Sequence, residues 1–388
     1  MTDLLQKIKN VYKESFVAEP KLFFSPGRIN LIGEHIDYND GFVMPAAIDK
    51  GIYYAVDKNN SNGFHFYAAD FNEWFSADIT SVKKTGSWKN YVLSVINEFL
   101  LADKKIGGFN CVFGGNVPRG SGMSSSAAVE GGLAFALNEI FSCGFTKPEL
   151  ALLCQRAEHN FPGVKCGIMD QFANMMGKKD NVLLLDCKTM QHQYFPLQLN
   201  GYKIILLNSK VHHSLASGEY NARRKQCEEG LQFLGKNSFR NIDEAEVYAA
   251  KEKMSEDVFK RCLYVVQEIK RTRQAADILQ KNNLAAFGKL MFETHEGLSK
   301  LYGVSCKELD WLVDIAKQHP AIIGSRLMGG GFGGCTINIV KENMADDFIA
   351  TATEQYKATF KISPEAYTVQ TADGTAAIAS PPSSLGFS

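Results

Sequence analysis

The segment NVPRGSGMSSSAAVEGG, residues 116–132, combines glycines with three consecutive serines directly before a predicted helix. Gly120 and Gly122 permit backbone conformations that are closed to residues with a side chain. Serine hydroxyls at the start of a helix can cap its N–H groups, and the helix dipole adds positive charge there. Such a loop suits an anion, in particular a chain of phosphates, although it can also be an ordinary capped surface turn.

Three further segments place polar residues or glycines beside apolar runs: SPGRINLIGEHIDYNDG, AEHNFPGVKCGIMDQFANMMG and MGGGFGGC. Asp170 lies between apolar neighbours, so its carboxylate is predicted to be partly buried and to need a partner. Glu34 and Asp37 could accept hydrogen bonds from adjacent sugar hydroxyls. Taken alone, Glu158 is typical of a solvated helix residue and His35 of a structural histidine. None of these segments contains a Walker A loop or the protein-kinase motif set.

The predicted secondary structure places residues 120–126, the serine loop, between a strand and a helix. GFNCVFGGNVP is predicted as the strand, and apolar periodicity predicts the helix from Ser126 to about Ile140. Gly131 and Gly132 inside this helix cost roughly 1 kcal/mol each, which indicates close packing against a neighbour. Residues 218–320 are predicted to be mostly helical. After them, residues 329–334, the glycine loop, lead into the predicted strand CTINIV.

The composition excludes several classes of protein. The 388 residues are 45% hydrophobic, which is enough for a large core and predicts two lobes. Basic and acidic residues both total 42, so no net charge attracts nucleic acid or an anionic membrane. The nine cysteines include no C-x-x-C pair, which favours reduced thiols and a cytoplasmic location. We find neither a signal peptide nor an apolar run long enough to span a bilayer.

Together the four segments resemble the motifs of the GHMP small-molecule kinases, P-G-R-x-N, P-x-G-x-G-L-x-S-S-A and G-G-G-x-G-G. Within that superfamily, GRINLIGEHIDYNDGFVMPAAID resembles the galactokinase signature. Further blocks, among them NSKVHHSLASGEYNARRKQCEE and CGIMDQF, extend the resemblance in order over residues 22–340. It implies an α/β (α+β) fold with an S5-like N-terminal lobe, predicted at residues 1–205, and a C-terminal α/β lobe at 206–388. The active site would lie in the cleft between the lobes.

The resemblance also implies an activity, the transfer of the γ-phosphoryl group of ATP to the anomeric hydroxyl of galactose with Mg²⁺ as cofactor. Asp170 would be the catalytic base, and Arg28 would orient it and stabilise charge on the transferring group. The Mg²⁺ ion would be held by Ser126 and Glu158. Galactose would contact Glu34, His35, Ile36, Asp37 and Tyr220. ATP would contact Trp88 near the adenine and, at the phosphates, Gly120, Ser121, Gly122, Met123, Ser124, Ser125 and Ser126.

Two positions depart from the pattern of the family. Met328 stands where many members have Thr, and Lys210 stands where Asn is usual. The alternatives that stay open are a kinase for N-acetylgalactosamine, arabinose or galacturonate, and a sensor that binds galactose and ATP without efficient turnover. The galactokinase-like sensor of transcription lacks a Ser-Ala pair in the serine loop, so Ser126 and Ala127 favour the enzyme. We expect galactose and ATP as partners of a monomeric protein, with neither nucleic acid nor a membrane.

Overall fold

Helices and strands alternate along the chain and form three sheets with helices packed on them. The computed structural model describes residues 3–16, 18–118, 120–211 and 216–379. The helices are α1 (Asp3–Ser15), α2 (Asn90–Leu101), α3 (Ser125–Phe141), α4 (Lys147–Asn160), α5 (Met169–Met176), α6 (Ala216–Leu234), α7 (Glu244–Ala249), α8 (Glu256–Gln280), α9 (Leu284–Glu296), α10 (Lys307–Gln318) and α11 (Ala345–Phe360). The strands are β1 (Lys21–Asn30), β2 (Phe42–Val43), β3 (Pro45–Lys58), β4 (Gly63–Ala68), β5 (Glu73–Asp78), β6 (Phe109–Gly115), β7 (Asn181–Asp186), β8 (His192–Pro196), β9 (Tyr202–Asn208), β10 (Ile322–Leu327), β11 (Cys335–Lys341), β12 (Glu365–Val369) and β13 (Ala376–Ala377).

The largest sheet has six strands in the order β13-β1-β3-β6-β4-β5, and only its β4–β6 pair is parallel. The sequence predicts that Pro26 and Gly27 break the first strand, but β1 continues through them with a shift of register between Pro26 and Arg28. Proline can occupy such a position because an irregularity spares it a ladder hydrogen bond. After the shift, Arg28 N–H donates to Met123 O at 3.1 Å, which joins β1 to the serine loop.

The C-terminal half forms a four-stranded antiparallel sheet in the order β10-β11-β9-β12. The short strand β13, near the end of the chain, returns to the first sheet and pairs with β1. A third sheet has the order β2-β7-β8. The predicted boundary after residue 205 falls inside β9, and a division of the chain into lobes at that residue stays a prediction.

An apolar cluster joins the two large sheets. It contains Ile29 of β1 and Met44 on one side, and Leu206, Met291 and Ile337 of the C-terminal half on the other, all at most 1% exposed. Burying a side chain of this size contributes about 1.5–3 kcal/mol. The cluster therefore fixes the serine loop and the glycine loop, which lie at the junction of the two halves, relative to each other.

The helix that follows the serine loop agrees with the prediction. It was expected from Ser126 to about Ile140 and is observed as Ser125–Phe141. A Cβ atom on Gly131 would overlap with the Asn174 side chain, and one on Gly132 would overlap with the ring of Tyr54. The close packing predicted from these two glycines is confirmed, because no larger residue fits between α3 and its neighbours.

All nine cysteines are free thiols in the structure. Within the described ranges, each helix is either too short or too polar to cross a membrane.

Candidate active site

An ion pair between Arg28 and Asp170 lies at the centre of the site. Arg28 comes from β1 and Asp170 from the first turn of α5, and Nε and Nη2 of the arginine donate to the two carboxylate oxygens at 2.8 Å each. The guanidinium side chain is 5% exposed, while that of Asp170 is 27% exposed. Burial disfavours the charge of Arg28, but the carboxylates of Asp170 and Glu34 outweigh it and raise the arginine pKa. The pairing predicted from the family resemblance is present, and it leaves the aspartate accessible from one side.

The serine loop is attached to this ion pair at two points. Arg28 Nη1 donates to Gly122 O, and Ser124 Oγ donates to Asp170. Ser124 occupies the N-cap position of α3 with a left-handed φ of 55°, while Gly120 and Gly122 have φ of 65° and 74°. The predicted need for glycine at these two loop positions is confirmed, because residues with a Cβ rarely adopt such angles.

A small cavity of about 130 Å³ opens beside Asp170. Its wall combines charged groups, an aromatic ring and the glycine loop after β10: Arg28, Glu34, His35, Asp37, Glu158, Val164, Cys166, Gly167, Met169, Asp170, Tyr220, Gly329 and Gly330. Four of the five residues predicted to contact the sugar are therefore brought together. Ile36 is the exception, because its side chain is fully buried in the main apolar core and is not part of the wall.

Asp37 is held in the small cavity by tight packing against Gly167. Any Cβ on Gly167 would overlap with the Asp37 carboxylate, so this position requires glycine. Burial, together with the charges of Asp170 and Glu34, raises the pKa of Asp37 to about 7, although backbone hydrogen bonds with Tyr38 and Met169 act in the opposite direction. The carboxyl group of Asp37 is therefore partly protonated near neutral pH.

Glu34 is anchored by a buried arginine that the sequence analysis did not single out. Arg326 of β10 is completely buried, and its Nη1 and Nη2 each lie 3.2 Å from Glu34 Oε1. The same oxygen accepts the N–H of Gly329 at 2.7 Å. Arg326 also donates to the carbonyls of Leu31, Asn30 and Leu327. The signal in the sequence was a lone arginine inside an apolar strand, since a buried charge requires a partner.

The two glycine-rich loops touch each other along their backbones. A Cβ on Gly329, which has a φ of 80°, would lie 3.3 Å from Gly122 O, and one on Gly334 would lie 3.4 Å from Gly120 O. Gly329 and Gly330 also line the small cavity. The loop after β10 thus packs close to the site and supports the serine loop.

A large cavity of about 750 Å³ lies on the other side of the serine loop. Ser125, Ser126 and Trp88 line it, together with Phe71 and Asn116. Trp88 stacks on Phe71 with ring centroids 4.5 Å apart and planes 5° apart, and its Nε1 donates to Glu73 at 3.1 Å. A flat aromatic pair of this kind suits the face of a nucleobase.

Two residues of the predicted phosphate loop face the protein. Ser121 is 1% exposed and its Oγ donates to Pro118 O at 2.6 Å. Met123 is also 1% exposed and packs in the apolar cluster between the sheets. Both residues therefore fix the shape of the loop.

Glu158 is buried, so the interpretation as a solvated helix residue is wrong. It is 7% exposed, lines the small cavity and accepts a hydrogen bond from Gln171 Nε2 at 2.8 Å. Burial and the charge of Asp170 raise its pKa to about 7, although hydrogen bonding with the side chains of Ser126, Cys166 and Glu130 acts in the opposite direction. Glu130 lies behind it and is fully buried, and burial raises its pKa.

The two departures from the family pattern lie outside the small cavity. Met328 is 1% exposed and fills the apolar cluster between the sheets, where a hydroxyl group would have no role in packing. Lys210 has a left-handed φ of 59°, a conformation in which asparagine is enriched, and its Nζ pairs with Glu365 at 2.9 Å. Neither substitution changes a group that lines the small cavity.

Family comparisons agree with this geometry. The galactokinase galactose-binding signature matches residues 10–58, the GHMP kinase N-terminal domain matches residues 90–178, and the GHMP kinase C-terminal region matches residues 275–358. A galactokinase of Clostridium acetobutylicum is 42% identical over 379 residues, which cover 95% of this chain and 97% of that protein. A galactokinase of Fusobacterium nucleatum is 39% identical over 385 residues, covering 96% and 98%.

Solved structures give the same result. Lactococcus lactis galactokinase complexed with galactose matches with a TM-score of 0.93 at 31% identity, covering 96% of this chain and 100% of that one. A mevalonate kinase matches with a TM-score of 0.63 at 19% identity, over 90% of this chain and 98% of that one, which shows a shared fold alone. The predicted mixed α/β fold of the GHMP kinases is confirmed. With near-complete coverage at about 40% identity and the family signature over β1 and its following loop, this chain belongs to the galactokinase family.

Proposed function

We propose that this protein phosphorylates galactose at its anomeric hydroxyl with ATP, giving galactose 1-phosphate and ADP. The observation that carries the proposal is the position of Asp170. Its carboxylate lines the small cavity and also accepts a hydrogen bond from Ser124, next to the serines that line the large cavity. A sugar in the small cavity and ATP in the large one would meet at this residue. Galactose is the ligand of the similar Lactococcus lactis structure.

Asp170 and Arg28 are proposed to act as base and positioning cation. The paired hydrogen bonds fix the carboxylate plane, so that one face can accept the proton of the anomeric hydroxyl as the oxygen attacks the γ-phosphorus. In a loose transition state this proton leaves late, so orientation matters more than basicity. The guanidinium group, bound also to Gly122 O, can stabilise charge that develops on the transferring group.

Glu158 and Ser126 are the proposed ligands of Mg²⁺. The Ser126 side chain favours the ionised form of the Glu158 carboxyl, which supports a shared role of the two residues. In the described part of the chain, no group of three or more His, Cys, Asp or Glu side chains could hold a metal by itself. This fits Mg²⁺, which is usually bound by one or two carboxylates together with phosphate oxygens and waters. When bound, the ion would neutralise charge on the phosphates.

The wall of the small cavity favours a neutral and unsubstituted sugar. Glu34, Asp37 and Asp170 together would repel the carboxylate of galacturonate, and Gly167 leaves no free space beside Asp37 for an added group. A site whose buried groups pair with hydroxyls also discriminates strongly against an analogue that lacks one. Galactose is therefore preferred over N-acetylgalactosamine, arabinose and galacturonate. That the enzyme acts as a cytoplasmic monomer stays a prediction from the sequence.

The test is ADP release from ATP and Mg²⁺ with galactose, glucose, N-acetylgalactosamine, arabinose and galacturonate. We expect galactose to exceed each other sugar by at least about 100-fold in kcat/KM. Asp170→Asn should lower kcat by about 10²–10⁴ while galactose still binds in calorimetry, and the exposed Asp314→Asn is the control. Galactose binding without turnover would favour the sensor. Turnover on another sugar would refute the assignment of the small-cavity wall, and normal kcat in Asp170→Asn would remove this residue as the base.

A further inference from the structure

Behind the small cavity, a line of polar atoms runs from His35 to Cys227. His35 Nδ1 lies 2.8 Å from the Tyr38 hydroxyl, which lies 2.8 Å from the Tyr302 hydroxyl, which in turn lies 3.3 Å from Cys227 Sγ. His35, Tyr302 and Cys227 are buried, at 4%, 0% and 0% exposed. The groups come from the loop after β1, from a π-helical turn at Gly297–Tyr302 and from α6. Each of the hydroxyl and thiol groups has a single proton to donate.

At the cavity end, a backbone carbonyl indicates where the imidazole proton lies. His35 Nε2 is 3.3 Å from Gly330 O, an atom that can only accept a hydrogen bond. An unprotonated Nε2 would set two lone pairs against each other at this distance. Nε2 therefore carries a proton, and in a neutral ring Nδ1 is then an acceptor.

At the other end, the contact of an amide with Cys227 favours the same direction. Asn39 Nδ2 donates to His35 O at 2.9 Å, which identifies this atom as the nitrogen, and it also lies 3.7 Å from Cys227 Sγ. An amide nitrogen can only donate, so the sulfur accepts from Asn39. The S–H group of Cys227 then remains available as the donor to the hydroxyl of Tyr302.

We propose that protons in this line all point the same way, from Cys227 through Tyr302 and Tyr38 to Nδ1 of His35, and that they hold the proton of the imidazole on Nε2. Tyr38, Tyr302 and Cys227 are thus positioning residues that make His35 a fixed hydrogen-bond donor at the small cavity. Burial, together with the nearby Arg223 and Arg326, lowers the pKa of His35 to about 4, although Glu34 and Gly330 oppose this. The ring is therefore neutral at physiological pH.

The consequence for sugar binding rests on the proposed function. His35 and Gly330 both line the small cavity, and the 3.3 Å contact between them is long for an N–H···O bond. A sugar hydroxyl oxygen can share or replace it, provided that the hydrogen stays on Nε2. At this position the sugar must then accept a hydrogen bond, because Nε2 of His35 can only donate.

The direct test is the tautomer of His35 in the whole protein, without ligands, at pH 7. With ¹⁵N-labelled histidine, two-bond correlations to the ring protons distinguish a ring protonated on Nε2 from one protonated on Nδ1 or on both. The His35 signals are assigned by their loss in His35→Gln. We expect the Nε2–H form as the single species. An Nδ1–H form, an imidazolium ring or a mixture of tautomers would overturn the proposal, and this result does not depend on kinase activity.

Two variants test the role of the line in function. Tyr38→Phe keeps the ring but removes the donor to Nδ1, so we expect a mixed tautomer, a galactose KM raised about 5- to 10-fold, and changes below about twofold in kcat and in the KM for ATP. Tyr302→Phe leaves Tyr38 in place and should change the galactose KM less. Tyr356→Phe is the control, because Tyr356 is a buried tyrosine whose hydroxyl donates to Ser209 O, away from the small cavity.

The outcomes separate the two proposals. If Tyr38→Phe keeps both the wild-type tautomer and the wild-type galactose KM, the positioning role is refuted. If kcat and both KM values change together, or if the melting temperature falls further than in Tyr356→Phe, the residue has only a structural role and the proposal fails. If no sugar is phosphorylated although the Nε2–H tautomer is found, the proposed function fails while the hydrogen-bond line stands. Should Tyr38→Phe not fold, the wild-type spectrum still decides the direction of the line.

Discussion

Replacing Glu34 by alanine should cost stability as well as sugar binding. The side chains of Glu34 and Arg326 are 2% and 0% exposed, and Glu34 is the carboxylate partner of this arginine in the structure. Glu34→Ala leaves the guanidinium charge buried and also removes the acceptor of the Gly329 N–H group. Breaking a buried ion pair from one side costs about 3–5 kcal/mol. Since Arg326 keeps its hydrogen bonds to three carbonyls, we take the lower end, about 3 kcal/mol.

This loss converts into a measurable change in melting temperature. At about 2.1 cal/mol/K per residue, a chain of 388 residues has an unfolding entropy of about 0.8 kcal/mol/K, so 3 kcal/mol lowers Tm by about 4 °C. Calorimetry without ligand gives this value. Saturating galactose should then raise the Tm of the variant less than that of the wild type, because the sugar also loses a hydrogen-bond acceptor.

Two further variants decide whether the ion pair is the cause. Glu228→Ala removes an exposed carboxylate paired with Arg224 and should change Tm by less than about 1 °C. Arg326→Met should also destabilise, but Glu34→Ala combined with Arg326→Met should lose less than the sum of the two, since no charge is left unpaired. A Glu34→Ala protein with the Tm of the wild type, or strictly additive losses, would refute the reasoning.

Three other expectations follow from single contacts. Gly167→Ala places a Cβ against the Asp37 carboxylate, so the galactose KM should rise about tenfold with an unchanged KM for ATP; an equal rise in both would contradict it. Trp88→Ala removes the ring stacked on Phe71, so steady-state kinetics should show the KM for ATP raised about 5- to 10-fold and that for galactose unchanged. The folded-state pKa of Asp37 is about 7 against an ordinary 3.8, so the folded protein holds an extra proton between these values and loses stability as pH rises through them. Asp37→Asn removes this loss, so its Tm relative to wild type should increase from pH 4 to pH 7 and then level off; a constant difference would show that Asp37 titrates normally.

The sequence by itself determined the features that depend on neighbouring residues. Helix α3, predicted from Ser126 to about Ile140, was found one residue longer at each end, because its apolar periodicity and the serines before it act locally. Positive φ at Gly120 and Gly122 and close packing at Gly131 and Gly132 also followed from residue type. The family resemblance supplied the pairing of Arg28 with Asp170, which local patterns alone do not indicate.

The tertiary structure decided what depends on contacts between distant parts of the chain. Arg326 lies 292 residues from Glu34, and the Tyr302 hydroxyl meets a tyrosine 264 residues away, so no local pattern joins them. Ile36 was placed at the sugar because it lies in the signature, but its side chain points into the core, since direction depends on backbone geometry. Glu158 was ambiguous for the same reason, because burial is a property of the packed fold. A sequence fixes which groups are present, whereas their burial and partners, and hence their protonation, are set only when the two halves of the chain pack together.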